Sequence, residues 1–126
     1  MYADTNDWRE IIERVAIIGS RNWPHPEAVE QYVDTLAPGT IVISGGAAGV
    51  DTWAEEAARV KGLEVIVIEP EWHKHGLSAG MRRNTDIVEA CDRVVAFIFN
   101  NSAGSRATVT IAGIKGKPTT VFRDKS

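Results

Sequence analysis

The sequence predicts a three-layer α/β/α domain built on a mostly parallel, five-stranded sheet. Three observations carry that expectation. Short runs rich in Val and Ile recur five times without the alternation of a half-exposed sheet, segments of helical spacing separate them, and small, polar loops follow several of the runs. Continuous apolar runs are what strands covered on both faces look like. Regular strand–helix alternation implies parallel strands joined by right-handed crossovers. In such sheets ligands bind beyond the carboxyl ends of the strands, near the point where strand order reverses. The loops that follow the strands are therefore where chemistry is expected.

Taken in order, the predicted strands are Val15–Ile18, Ile41–Ile43, Glu64–Ile68, Val94–Phe99 and Thr119–Phe122. The first intervening helix, over residues 26–36, sets Val29, Val33 and Leu36 on one stripe and opens on Pro26, which suits a first helical turn. Residues 51–61 are good helix formers and stop at Gly62. Residues 81–91 form the third helix. The fourth, 105–115, ends near Gly116 with Pro118 beyond it. Residues 1–13 stand apart as a lead segment to the domain at 14–126. Trp8, Ile11 and Ile12 have the spacing of a short amphipathic helix, expected to pack on its own domain rather than on a second copy.

Composition narrows the class. The chain has 126 residues, enough for one domain with one proper core, and 44% of them are hydrophobic and 25% charged. A net charge of −3, with basic residues scattered apart from Arg82–Arg83, makes nucleic acid an unlikely partner on electrostatic grounds. The single cysteine, Cys91, allows no internal disulfide and supplies no metal cluster; it reads as a packed thiol. The acidic N-terminus is not a signal peptide, and no apolar run approaches the ~20 residues of a membrane span. The expectation is a cytoplasmic protein with no membrane partner, no metal and no cofactor.

Four loops then share one character. After the first strand come Gly19, Ser20 and Arg21, a glycine, a hydroxyl and a guanidinium able to grip an oxyanion. After the second come Ser44, Gly45, Gly46, Ala47, Ala48 and Gly49, side chains small enough to leave backbone N–H groups facing outward at a helix start. That stretch lacks the lysine of a P-loop and the spacing of a GxGxxG turn. Asp51 at its end either caps the helix, the preferred reading at that position, or binds a ribose hydroxyl or acts as an acid/base group. The long loop after the third strand carries Trp72, a candidate base-stacking residue, with His73 and His75, too few for a metal site. Arg83 and Asn84 follow in the first turns of a helix. After the fourth strand, Gly104, Ser105 and Thr108 again lead into a helix. Together the loops describe a phosphate cradle.

At these residues the chain resembles a known family. GSRNW, SGGAAGVDTWAEEAA, PEW…HG…AGMRRN and GSRATVTIAGIKGKP, in that order over nearly residues 14–123, are similar to the YspA-like branch of the SLOG superfamily, which includes the Lonely-guy phosphoribohydrolases and the DprA/Smf domains. The resemblance implies a Rossmann-like sheet of order 3-2-1-4-5 that binds nucleotides or nucleotide-derived ligands, often as a homodimer or higher homo-oligomer. It implies phosphate contacts from Gly45, Gly46 and Gly49, an Arg–Asn pair at Arg83 and Asn84, a Gly-Thr equivalent at Gly104 and Ser105, and a recurrent polar position at Arg21. One departure bears on catalysis. Lonely-guy enzymes carry a glutamate in their last motif, where Ala107 and Thr108 stand here. The preferred expectation is therefore a domain that senses or sequesters a nucleotide-derived ligand. The alternative is a nucleoside 5′-monophosphate phosphoribohydrolase, with Asp51 and Arg83 as its catalytic residues and Glu55 or Asp86 as substitute carboxylates. A DprA-like DNA-handling role is the least favoured of the three, because of the net charge.

Overall fold

The structure is a computed structural model and describes residues 12–125. Its element order is β1 (Arg14–Gly19), α1 (Pro26–Asp34), β2 (Ile41–Ser44), α2 (Val50–Lys61), β3 (Glu64–Val67), α3 (Trp72–His75), a 3-10 turn (Gly76–Ser78), α4 (Ala79–Ala90), β4 (Arg93–Phe99), α5 (Ala103–Ile114) and β5 (Thr119–Asp124). The strands form one sheet of order β3-β2-β1-β4-β5, every neighbouring pair parallel. This is the Rossmann-like order that the family resemblance implies. The chain first builds leftward from β1 through β2 to β3, then crosses back to lay β4 on the other side of β1. The reversal falls between β1 and β4, and the carboxyl ends of those two strands open a crevice there.

Successive residues of a strand face opposite sides of the sheet, and the two faces carry two cores. Val15, Ile17, Val42, Val95 and Phe97 point to the side covered by α1 and α2, where Val29, Val33, Val50, Ala54 and Ala58 meet them. Ala16, Ile18, Ile43, Val94, Ala96 and Ile98 point to the other side, covered by Ile87 and Val88 of α4 and Ala112 of α5. The central strands are thus buried on both faces, and their apolar runs are unbroken for that reason. The edge strands differ: Ile66, Val67 and Phe122 are partly exposed. The loop expected after β3 contains helical turns, and α4 and α5 each begin two residues earlier than the sequence spacing suggests. Cys91 closes α4 as a buried free thiol, its pKa pushed up by burial. Trp8 and Ile11 of the lead segment lie outside the described residues; Ile12 is exposed. Among the described residues no helix is long and apolar enough to cross a membrane.

One close approach fixes how the β2–α2 connection meets the β1–α1 connection. Gly49 has φ +81°, and a Cβ there would lie 2.5 Å from the carbonyl oxygen of Arg21 and 2.8 Å from its Cα. Both obstacles are backbone and cannot swing aside. Gly113, on the exposed surface of α5, has nothing within 4 Å of such a Cβ. Gly49→Ala is therefore expected to destabilise the fold by at least about 1–3 kcal/mol, while Gly113→Ala stabilises it by about 0.5–1 kcal/mol. Urea denaturation of the two variants checks both signs.

Candidate functional site

A cleft of about 580 Å³ opens at the carboxyl edge of the sheet, over the β1/β4 reversal. That is within the usual range for a small-molecule pocket, ~300–1,000 Å³. Gly19, Ser20, Arg21, Ala47, Asp51, Trp72, Arg83, Asn84, Gly104, Ser105 and Thr108 all line it, drawn from the four connections that follow β1 to β4 and the helices they open. Ser44, Gly45, Gly46 and Gly49 do not. They form the turn behind one wall.

That turn is closed by Asp51. The α2 helix is capped by Gly49 without a side-chain bond, and Asp51, one residue inside the helix, reaches back into the loop. Its Oδ2 accepts the N–H of Gly45 at 3.1 Å and of Ala47 at 3.3 Å. The N–H of Gly46 goes to Ser44 Oγ at 3.3 Å, and Ser44 Oγ donates to the buried carboxylate of Glu55 at 2.6 Å. Asp51 thus satisfies the loop rather than capping the helix, and three N–H groups of this stretch, those of Gly45, Gly46 and Ala47, are already paired. Gly45 is needed here for room: a Cβ would lie 2.8 Å from Arg83 Nη1 and 2.9 Å from Asp51 Oδ2. Gly46, at φ +74°, packs against Val67 and Glu69.

Arg83 braces the same turn from α4. Its Nη1 donates to the carbonyl of Gly45 at 2.6 Å and its Nε to Asn84 Oδ1 at 2.9 Å. Asp51 is 4% exposed. Burial lifts its carboxyl from 3.8 to about 6, against the opposing pull of the Ala47 N–H, the Arg83 charge and the N–H groups of Gly45 and Gly19. Desolvation of the charged form outweighs those favourable partners.

The far wall is different. Asn100 and Asn101 both have positive φ, 53° and 55°, and turn the chain sharply from β4 into α5. Asparagine tolerates that conformation better than most residues. Ser102, the N-cap of α5, makes no side-chain capping bond. The first N–H groups of the helix have no intrahelical acceptor and carry the positive end of its dipole. Ser105 is 6% exposed, faces the cleft, and its hydroxyl has no hydrogen-bond partner among the described residues. Thr108 donates back to Gly104 at 3.2 Å. From the adjacent β1–α1 loop comes Arg21, exposed on the cleft and without an ion pair among the described residues. Ser20 is committed to structure, accepting the N–H of Phe99 at 2.8 Å, which ties this loop to the end of β4. Trp72, 59% exposed, stands on the rim and reaches to 3.5 Å from where a Cβ on Gly80 would be.

Sequence reasoning missed several lining residues. Asn22, Asn100 and Ser102 are polar loop neighbours of residues it named. Ile18, Ile87 and Phe99 supply apolar floor, and their only signal was position at the end of a strand or about two turns into a helix. His73 and His75 sit on α3, and no group of three metal-ligating side chains forms among the described residues.

With this geometry in hand, comparison with known proteins is informative. The family model described as YspA, cpYpsA-related SLOG family matches residues 13–75. The Gene 61 protein of Mycobacterium phage D29 is 36% identical over 124 residues, covering 90% of this chain and 99% of that protein. The chain belongs to the YspA, cpYpsA-related SLOG family. Among solved structures, DNA processing protein A (DprA) from Streptococcus pneumoniae superposes with a TM-score of 0.75 at 23% identity. DNA processing protein A from Helicobacter pylori superposes at 0.69 and 24% identity. These likenesses cover 87% and 86% of this SLOG chain, but the chain spans only 50% and 64% of those two proteins, and at such identity they establish the shared fold.

They also correct one expectation. The Helicobacter protein has a described single-stranded DNA binding mode, so the inference from net charge that nucleic acid is an unlikely partner does not stand. Net charge averages over the whole surface. A strand meets only the groups at its groove, where local arginines and helix N-termini set the potential.

The elevated Asp51 carboxyl gives a sign-definite prediction. Between pH 4 and 6 the folded state holds a proton that the unfolded chain has lost, so this contribution to stability is complete below pH 4 and disappears as pH rises through 6. At ~1.4 kcal/mol per unit the loss is about 3 kcal/mol. Urea denaturation of wild type and Asp51→Asn across pH 4–7.5 should show the wild type losing that amount relative to the variant. A pH-independent difference would mean that Asp51 is ionised throughout.

Proposed function

We propose that this SLOG domain binds a phosphorylated nucleotide in the β1/β4 cleft, with the phosphate held at the first turn of α5. The observation that carries the reading is the convergence on that wall of three anion-seeking groups without a partner among the described residues: the leading N–H groups of α5, the hydroxyl of Ser105 and the guanidinium of Arg21. Helix N-termini bind phosphate through this combination of free N–H groups and dipole. The sheet places them at the strand-order reversal, where ligands of such folds bind. Phe99 and Trp72 offer apolar and aromatic surface for a base.

The same chemistry fits a nucleotide within a single strand. Trp72 stands exposed at the rim, with Lys74 and Arg82 exposed on the adjoining helical turns. An aromatic platform flanked by cations is how single strands are held without sequence preference. The phosphoribohydrolase reading has less support. Asp51, the carboxylate nearest that role, spends Oδ2 on two loop N–H groups, and Thr108 occupies the position where related enzymes carry glutamate.

Titration calorimetry with the ribonucleoside 5′-monophosphates and with 12-mer single-stranded oligonucleotides tests the proposal and separates its two sources of phosphate. Arg21→Ala should weaken binding by about 1.5–3 kcal/mol, the scale of a charge-assisted hydrogen bond, with the melting temperature unchanged. Arg83→Ala should lower both affinity and melting temperature, because it also braces the β2–α2 turn. Failure of every phosphorylated nucleoside and every oligonucleotide to bind would refute the reading.

A further inference from the structure

The two ends of the cleft make opposite demands on whatever occupies it. At the α5 end, N–H groups, the Ser105 hydroxyl and Arg21 call for negative charge. At the β2–α2 end stands a carboxyl group. Three donors of that turn are already spent: Gly45 and Ala47 N–H on Asp51 Oδ2, and Gly46 N–H on Ser44 Oγ. Arg83 also faces this end, with Nη1 on the Gly45 carbonyl, Nε on Asn84 and its charge set against Asp51. A second anion placed there would meet the Asp51 carboxylate in a poorly solvated pocket, where repulsion is far stronger than in water. A neutral donor would meet the opposite reception, since a buried carboxylate gains from each additional hydrogen bond it accepts.

The spacing selects what can span both ends. The β2 and β4 strands flank β1, so their carboxyl ends are separated by two strand spacings, about 10 Å. Side chains reach inward from both walls and shorten that gap. A bare phosphate cannot bridge it, whereas a nucleoside monophosphate carries hydroxyls at one end of its sugar and phosphate at the other. Vicinal ribose hydroxyls present two donors, matching an acceptor-only carboxylate.

We propose that Asp51 is a specificity-determining residue: it accepts hydrogen bonds from the ribose diol while the phosphate stays at α5, so that the cleft selects ribonucleotides charged at one end only. The inference rests on the nucleotide reading above and goes beyond it by fixing the orientation and the kind of nucleotide.

The test compares each ribonucleoside 5′-monophosphate with its 2′,3′-dideoxy and 3′,5′-bisphosphate counterparts by calorimetry. Wild type should bind both counterparts about ten-fold or more weakly, the scale of a hydrogen bond to a charged group. In Asp51→Asn both gaps should close to within a few-fold. If the monophosphates bind and the counterparts bind equally well, Asp51 sets no such preference and this inference alone falls. If no monophosphate binds, this inference falls, and the nucleotide reading stands or falls on the oligonucleotides. The wild-type series decides without the variant, so loss of fold in Asp51→Asn would not rescue the proposal.

Discussion

The carboxylate of Asp51, buried inside the β2–α2 turn, is the constraint on which the site depends. It draws the N–H groups of Gly45 and Ala47 onto one oxygen. Arg83 then closes over the outside of the turn through the Gly45 carbonyl, and so fastens α4 to β2. Beneath, Ser44 and Glu55 make a second buried bond that holds the strand end to α2. Without a side chain at position 45, carboxylate and guanidinium can approach the backbone from two sides. With one, they could not. The turn is a tight polar knot, and the cleft wall is its outer surface.

That knot also explains what the sequence could and could not disclose. Val15–Ile18 and Val94–Phe99 announced buried central strands because burial on both faces leaves no reason for polar alternation. Alternation of strand and helix pointed to the loops after the strands, while the order that places the reversal between β1 and β4 came from the family resemblance. The roles of Gly45, Gly46 and Gly49 were not legible. Three glycines at a strand–helix junction suit an open phosphate loop and an internally satisfied turn equally well. What distinguishes them is where the N–H groups of Gly45 and Gly46 go, to Asp51 and Ser44, and what each missing Cβ would meet: Arg83 and Asp51, Val67 and Glu69, and the Arg21 backbone. Arg21 and Arg83 lie 28 and 34 residues from Gly49. Pairings at such separations are set by the fold, and a single sequence carries no local signal for them. Ser20 is a similar case: its hydroxyl looked like a ligand contact, yet it joins β1 to β4 at Phe99.

Electrostatics divides along the same line. The chain as a whole is acidic, at −3, and that number bears on long-range attraction to a polyanion. It says little about a cleft whose charges are few, near and unequally desolvated. One wall buries a carboxylate against its own inclination to ionise; the other leaves a guanidinium and a helix N-terminus unanswered. The two walls lie about two strand spacings apart, ~10 Å, comparable to the ~8 Å over which physiological salt screens charge.

Burial of Asp51 costs stability once it ionises, and the fold could have avoided that cost with an uncharged residue. Asparagine would offer the loop the same acceptor oxygen without desolvating a charge. A carboxylate kept on the wall of an open cleft, with one oxygen committed to the loop, is therefore better explained by what reaches it from the solvent side than by the turn it closes. The glycines behind it carry the same implication. They give up conformational freedom so that Asp51 and Arg83 can be set rigidly at one end of the pocket, as a ligand held in register with the α5 end would require. The opposing wall, left with an unpaired hydroxyl and an unpaired cation, is the complementary half of that arrangement.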